Sequence, residues 1–116
     1  MNSVEYRYRA TDLKWIDGDT VDLLVDLGFY HFVKTRFRLY GMDTPERGDA
    51  LWGEATDFAE AMAPVDTQVC IDVFKDHDKY GRWLVNIYVD DKQVNQSLVA
   101  AGLAVPYYGG TKPVVA

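Results

Sequence analysis

A chain of 116 residues has room for one domain and little more. With 48% hydrophobic, 14% aromatic and 26% charged residues it can bury a core, which excludes a disordered chain; its single cysteine, Cys70, excludes an internal disulfide. A net charge of −6 excludes general polyanion binding through bulk charge, so nucleic-acid chemistry would need local cations, a bound metal, or both.

The N-terminal stretch Met1 to Arg7 lacks a positive segment followed by an apolar run, and no apolar run reaches membrane-spanning length. No secretory signal and no membrane contact are therefore expected, and a cytoplasmic location unless the chain is a processed form, which would look the same. A strand is expected from Val4 to Ile16, with Arg7 and Arg9 as basic positions. Val21, Leu23, Val25 and Leu27 then alternate with Asp22 and Asp26, the pattern of a half-buried strand. Gly28 to Phe32 reads as a turn with extended shoulders, and Phe37 and Leu39 alternate with Arg36, Arg38 and Tyr40. Helical spacing follows. Leu51, Trp52, Ala55, Phe58, Ala59 and Met62 recur at three- and four-residue steps until Pro64, with Glu54, Asp57 and Glu60 opposite. Val69, Ile71 and Val73 form another alternating face, with Cys70 as a small strand residue, and Trp83, Val85, Ile87 and Val89 form the next. After the turn at Asp90-Asp91, a short helix fits Val94 to Ala101, closed by Gly102. Trp52, Phe58 and Trp83 are expected in the core. His31 and His77 lack metal-ligand spacing and are expected in solvated loops.

Three strands, a helix, two strands and a helix make a mainly β, α+β chain. This order suits a five-stranded OB-type barrel with two packed helices, while periodicity leaves open another α+β arrangement.

Three clusters carry chemistry: Ile16-Asp17-Gly18-Asp19-Thr20, Arg38 through Glu46, and Asp78-Lys79-Tyr80-Gly81-Arg82. Asp19 and Asp43 are short carboxylates at strand ends that could hold a hard divalent cation. Calcium takes about six to eight oxygens, so backbone, water and substrate oxygens would complete the shell. Arg38 and Arg82 offer forked donors that match phosphate oxygens. Glu46 could take a proton from an attacking water or orient it. Each cluster alone has an ordinary structural explanation: a turn, a helix start, or a surface cation beside Tyr80. Their joint presence in this order is the signal.

The set Ile16-Asp17-Gly18-Asp19-Thr20, Phe37-Arg38-Leu39, Asp43-Thr44-Pro45-Glu46 and Asp78-Lys79-Tyr80-Gly81-Arg82 resembles the staphylococcal nuclease (thermonuclease) family, as do Val94-Asn95 and Gly102-Leu103-Ala104. The likeness runs from about Ala10 to Tyr108. It implies one nuclease-like domain over residues 1–116 with an OB-fold barrel, acting as a monomer. It implies a calcium-dependent endonuclease that hydrolyses DNA and RNA, single strands favoured, and leaves 3′-phosphate ends. By position, Asp19 and Asp43 match the metal carboxylates, and Thr44 the residue whose carbonyl joins the metal shell. Arg38 and Arg82 match the phosphate-binding arginines, and Glu46 the proposed general base. Lys79 and Tyr80 match contacts to the nucleotide's terminal phosphate, and Tyr108 the first of two tyrosines near the nucleotide, with Gly110 at the second. Three departures are visible. The tyrosines are adjacent, as Tyr107 and Tyr108; the family's third helix has no counterpart before Ala116; and the chain is acidic where the family enzyme is basic. Arg36, Arg38, Lys79 and Arg82 are expected in or beside the site, with Asp57, Glu60, Asp66, Asp90 and Asp91 away from it. The alternative is a nuclease-like module that binds nucleic acid or protein without cutting.

Overall fold

The alternating runs become strands in the computed structural model, which describes residues 4–77 and 81–107. In chain order the elements are β1 (Val4–Asp17), β2 (Thr20–Gly28), β3 (His31–Leu39), β4 (Met42–Asp43), α1 (Trp52–Met62), β5 (Gln68–His77), β6 (Trp83–Val89), β7 (Lys92–Gln93), α2 (Val94–Ala100) and β8 (Val105–Pro106). The five long strands run in the order β3-β2-β1-β5-β6, antiparallel throughout. A parallel pairing of Phe37, Arg38 and Leu39 with Trp83, Leu84 and Val85 then closes β3 onto β6. The result is a closed OB-type β-barrel with two helices, as the residue pattern suggested.

Closure follows from β1. It pairs with β2 on one side and β5 on the other, and its register shifts between Asp12 and Lys14 and between Trp15 and Asp17. Such bulges bend and twist a strand, which lets one strand serve both halves of a barrel. The inward residues Val21, Leu23, Phe37, Leu39, Ile71, Val85 and Ile87 are buried and form the core. Helix α1 lays Ala55 and Ala59 against it, and α2 adds Val94 and Leu98. Buried Asn95 ties α2 to the barrel. Its side-chain amide donates to Tyr40 O (2.9 Å) and Val85 O (3.1 Å), and its Oδ1 accepts from Ile87 N (3.1 Å).

Several expectations are corrected. Strand β3 starts at His31, well before the alternation at Phe37, because residues 31–34 are exposed whichever way they point and carry no period-two contrast. His31 therefore opens a strand and His77 ends one, rather than lying in loops. Trp83 is 38% exposed at the barrel rim, and Trp52 and Phe58 are half-buried; the buried indole is Trp15, whose Nε1 donates to Ala63 O at 2.9 Å. The pairs involving β4, β7 and β8 are too short to leave a periodic signal. Cys70 lies exposed on β5. Among the described residues no helix is long and apolar enough to cross a membrane.

One buried charge stands apart. Asp12, beside the first bulge, is 0% exposed, and neither carboxyl oxygen has a hydrogen-bond partner among the described residues. Burial pushes its pKa up to about 7; Trp15 opposes the shift, and nearby Glu60 and Asp66 reinforce it.

Candidate active site

The site begins at a turn. Gly18 and Asp19 connect β1 to β2, and the carbonyl of Asp19 accepts from Leu39 N at 2.8 Å, which holds the turn to the end of β3. A Cβ on Gly18 would lie 3.0 Å from both Ala55 Cβ and Thr44 Cγ2, so only glycine lets helix α1 and the Thr44 segment approach this closely. That approach brings Asp19 against the next segment, where Thr44 N donates to Asp19 Oδ2 at 3.3 Å. On the other side, Thr20 Oγ1 donates to Asp19 Oδ1 at 3.2 Å.

Arg38, at the end of β3, spans both carboxylates. Its Nη2 lies 3.0 Å from Asp43 Oδ1 and 3.5 Å from Asp19 Oδ2, and 3.4 Å from Met42 O. Arg82, just before β6, donates from Nη1 to Thr20 Oγ1 at 3.4 Å. Asp19, Arg38, Asp43, Thr44, Glu46 and Arg82 all line one cleft of about 270 Å³, with Asp17, Thr20, Pro45 and Arg47. A larger hollow of about 450 Å³ lies beside α2 but collects mainly neutral side chains such as Tyr40, Asn86 and Gln93. The convergence of charge, not volume, singles out the smaller cleft.

Electrostatics sharpen this view. Burial raises the pKa of Asp19; Arg38 and the Thr44 N–H oppose the rise, and the hydrogen bond and charge of Asp43 add to it. Two neighbouring carboxylates in a poorly solvated cleft are what a hard cation would relieve. The Thr44 hydroxyl is also buried with no partner among the described residues. Oxygen donors alone suit calcium or magnesium rather than zinc. Among the described residues no group of three or more His, Cys, Asp or Glu side chains gathers as a metal site. The two carboxylates would therefore need backbone, water or substrate oxygens beside them. On these grounds the residues fit a loosely held divalent ion.

The cleft brings together Asp19, Arg38, Asp43, Thr44, Glu46 and Arg82. Lys79, Tyr80 and Tyr108 lie outside the described residues. Arg36 is not in the cleft; it is drawn off to Asp22 by bonds of 2.7 and 3.1 Å, and this hydrogen-bonded pair holds Asp22 below the usual carboxylate range. Other residues join that the sequence did not single out. Arg47 lines the cleft with its guanidinium 5.0 Å from the Trp52 ring, and Trp52 Nε1 donates to Asp17 at 2.6 Å. Tyr107 lies with its ring 5.8 Å from the Arg38 guanidinium. Arg47 could have been suspected from its place beside Glu46. Tyr107, named in the sequence as the neighbour of Tyr108 and given no role, is held at the site by the pairing of Asp43 with Val105 and its own N–H bond to Gly41 O (2.9 Å).

A nuclease-type barrel with acidic and arginine side chains at one rim is the class that this geometry defines. The family model described as staphylococcal nuclease homologue matches residues 36–114, and the chain belongs to that family. It is also 34% identical to Protein ParB of Escherichia coli over 108 aligned residues, covering 85% of this chain and 57% of that protein. The chain thus spans a little over half the length of this relative.

Proposed function

We propose that residues 1–116 act as one metal-dependent endonuclease unit, hydrolysing phosphodiester bonds of DNA and RNA with calcium as cofactor and single strands favoured. The observation that carries this reading is the meeting, in one cleft, of Asp19, Arg38, Asp43, Thr44, Glu46 and Arg82 from three separated stretches of chain. Asp19, Asp43 and the Thr44 carbonyl would hold the ion, which would supply positive charge beside the scissile phosphate.

The chain's own residues do the rest. Arg38 and Arg82 enter the cleft from β3 and from the approach to β6, so a phosphate between them meets two guanidinium forks. Fixed donors of this kind complement the charge that grows on the phosphoryl oxygens during attack. Glu46 is exposed at the cleft, within reach of solvent. It takes a proton from the attacking water or orients that water as the new O–P bond forms. The bond from phosphorus to the 5′ oxygen breaks as that oxygen takes a proton from water, leaving a 3′-phosphate on one product and a 5′-hydroxyl on the other. Lys79 and Tyr80 hold the terminal phosphate of the nucleotide, and Tyr108 flanks its base.

Mass spectrometry of products from a defined single-stranded DNA and its RNA counterpart tests the reaction. Fragments ending in 3′-phosphate are expected. Fragments bearing 5′-phosphate would contradict the proposed direction of cleavage. Intact strands that nevertheless bind the protein would favour the non-catalytic module.

A further inference from the structure

The β2–β3 hairpin ends on two residues unsuited to its turn. Gly28 pairs with His31 across Phe29 and Tyr30, and both central residues have positive φ, 56° and 61°. Positive φ at both positions is the mark of a type I′ turn, which favours Asn-Gly or Asp-Gly because bulky L-residues are strained there. Phe29 and Tyr30 are also 94% and 97% exposed, and Phe32 is 55% exposed. Neither turn geometry nor core packing accounts for three aromatic rings here. Strain combined with exposed apolar area marks a surface that meets something else.

Strand β3 joins this tip to the cleft. Phe37 is buried, and Val33 and Thr35 alternate with it along the strand and line the same open apolar hollow, so they share its face. The outward positions are then Phe32, Lys34, Arg36 and Arg38, in order from tip to cleft. Alternate residues on a strand lie about 6.6–6.8 Å apart, which puts Phe32 roughly 20 Å from Arg38. Arg36 shares its guanidinium with Asp22 but keeps 53% of its side chain exposed. Phe32 pairs across the ladder with Asp26. These two carboxylates temper the row, so phosphate contacts alone would hold a strand weakly. OB-type barrels bind oligonucleotides on the face of strands 2 and 3, where this row lies.

We propose that Phe29, Tyr30 and Phe32 form a stacking platform for unpaired bases. The phosphates of the same strand would run past Lys34 and Arg36 to the cleft. The proposal rests on the nuclease reading of that cleft. Every base has a π-face, so such a platform is indifferent to sequence but needs bases free of pairing. It would give an acidic chain affinity that does not depend on net charge.

Fluorescence anisotropy of the full chain in a calcium chelator tests it, with labelled single strands of about three and about sixteen nucleotides, the longer matching the larger OB-fold footprints. The variant Phe29→Asn/Tyr30→Gly gives the turn its preferred residues and should melt no lower than wild type, so lost affinity cannot come from unfolding. Affinity for the long strand should fall about fivefold or more, the low end of what one stacked base contributes, with short-strand affinity unchanged. Phe29→Trp/Tyr30→Trp should restore it. Equal long-strand affinity in the Asn-Gly variant and wild type would overturn the proposal, as would a tip that binds anionic vesicles or a second copy of the chain but no strand. If the wild type still cuts DNA in calcium, that failure leaves the nuclease reading standing. A wild-type chain that neither binds nor cuts any strand would sink both.

Discussion

Arg38 and Arg82 are not equivalent, although both present guanidinium groups to the same cleft. Arg38 lies within 3.0 Å of Asp43 and 3.5 Å of Asp19, so its removal would leave two crowded carboxylates uncompensated and confuse folding with catalysis. Arg82 enters the cleft from the approach to β6, where its Nη1 donates to Thr20 Oγ1 at 3.4 Å. Replacing Arg82 with alanine should lower kcat/KM on single-stranded DNA by about a hundredfold to a thousandfold. This is the cost, about 2.7–4 kcal/mol, of one lost preorganised donor. A thermal melt of the variant separates lost folding from lost catalysis, and near-full activity would show that the phosphate does not sit there. The convergence of Asp19, Asp43, Glu46 and the two arginines on one cleft was legible from the joint presence of three clusters in order, each of which alone reads as an ordinary turn, helix start or surface cation. Tyr107 was not, since its link to Arg38 depends on a pairing of β4 with β8 that no local pattern announces.

At the scale of elements, the bulged strand β1 carries a charge that the barrel does not solvate. Asp12 N donates to Thr67 O and Asp12 O accepts from Asp66 N, so its backbone fastens the segment after α1 while its carboxyl is sealed beneath. The folded pKa of about 7 exceeds the ordinary aspartate value of about 4, so the native state holds the proton more tightly than the unfolded chain. The sign is therefore opposite to that of a salt-bridged carboxylate. This group's contribution falls as pH rises from about 4 to about 7 and stays low above that, a loss on the order of 4 kcal/mol. Asp12→Asn should accordingly melt higher than wild type at pH 8 and close to it at pH 4. Thermal melts across that range check this, and parallel curves for the two proteins would contradict it. Helix α1 and strand β6 were legible nearly to the residue, because buried and exposed positions contrast along them. The first half of β3 was not legible because both its faces meet water, and Trp83 misled because large apolar residues are usually core.

Across the whole molecule, charge is sorted rather than averaged. Arg7, Arg9, Lys14, Lys34, Arg36 and Arg38 lie on β1 and β3, while Asp57, Glu60, Asp66, Asp90 and Asp91 occupy exposed positions on α1 and the turns. Arg7 and Arg36 pair with Asp72 and Asp22, while Arg38 and Arg82 line the cleft, a separation that the net charge of −6 cannot express. Few phosphates can be contacted at once. The dependence of log affinity on log salt for a single strand should therefore be shallow, no steeper than about −3 for up to four contacts. A slope much steeper than that would require a basic surface that this barrel does not have. Barrel closure was only partly legible: the number and order of strands suggested it, but the parallel pairing of β3 with β6 joins residues far apart in the chain.

The central claim is that the Asp19 cleft is a metal-dependent phosphodiesterase site. Digestion of single-stranded DNA in calcium, in calcium with excess chelator, and by Asp19→Ala in calcium tests it most directly, with circular dichroism verifying that both proteins are folded. The account predicts fragments in the first reaction and intact DNA in the other two. Equal cleavage in all three, or none by the folded wild-type chain at any calcium level, would contradict it.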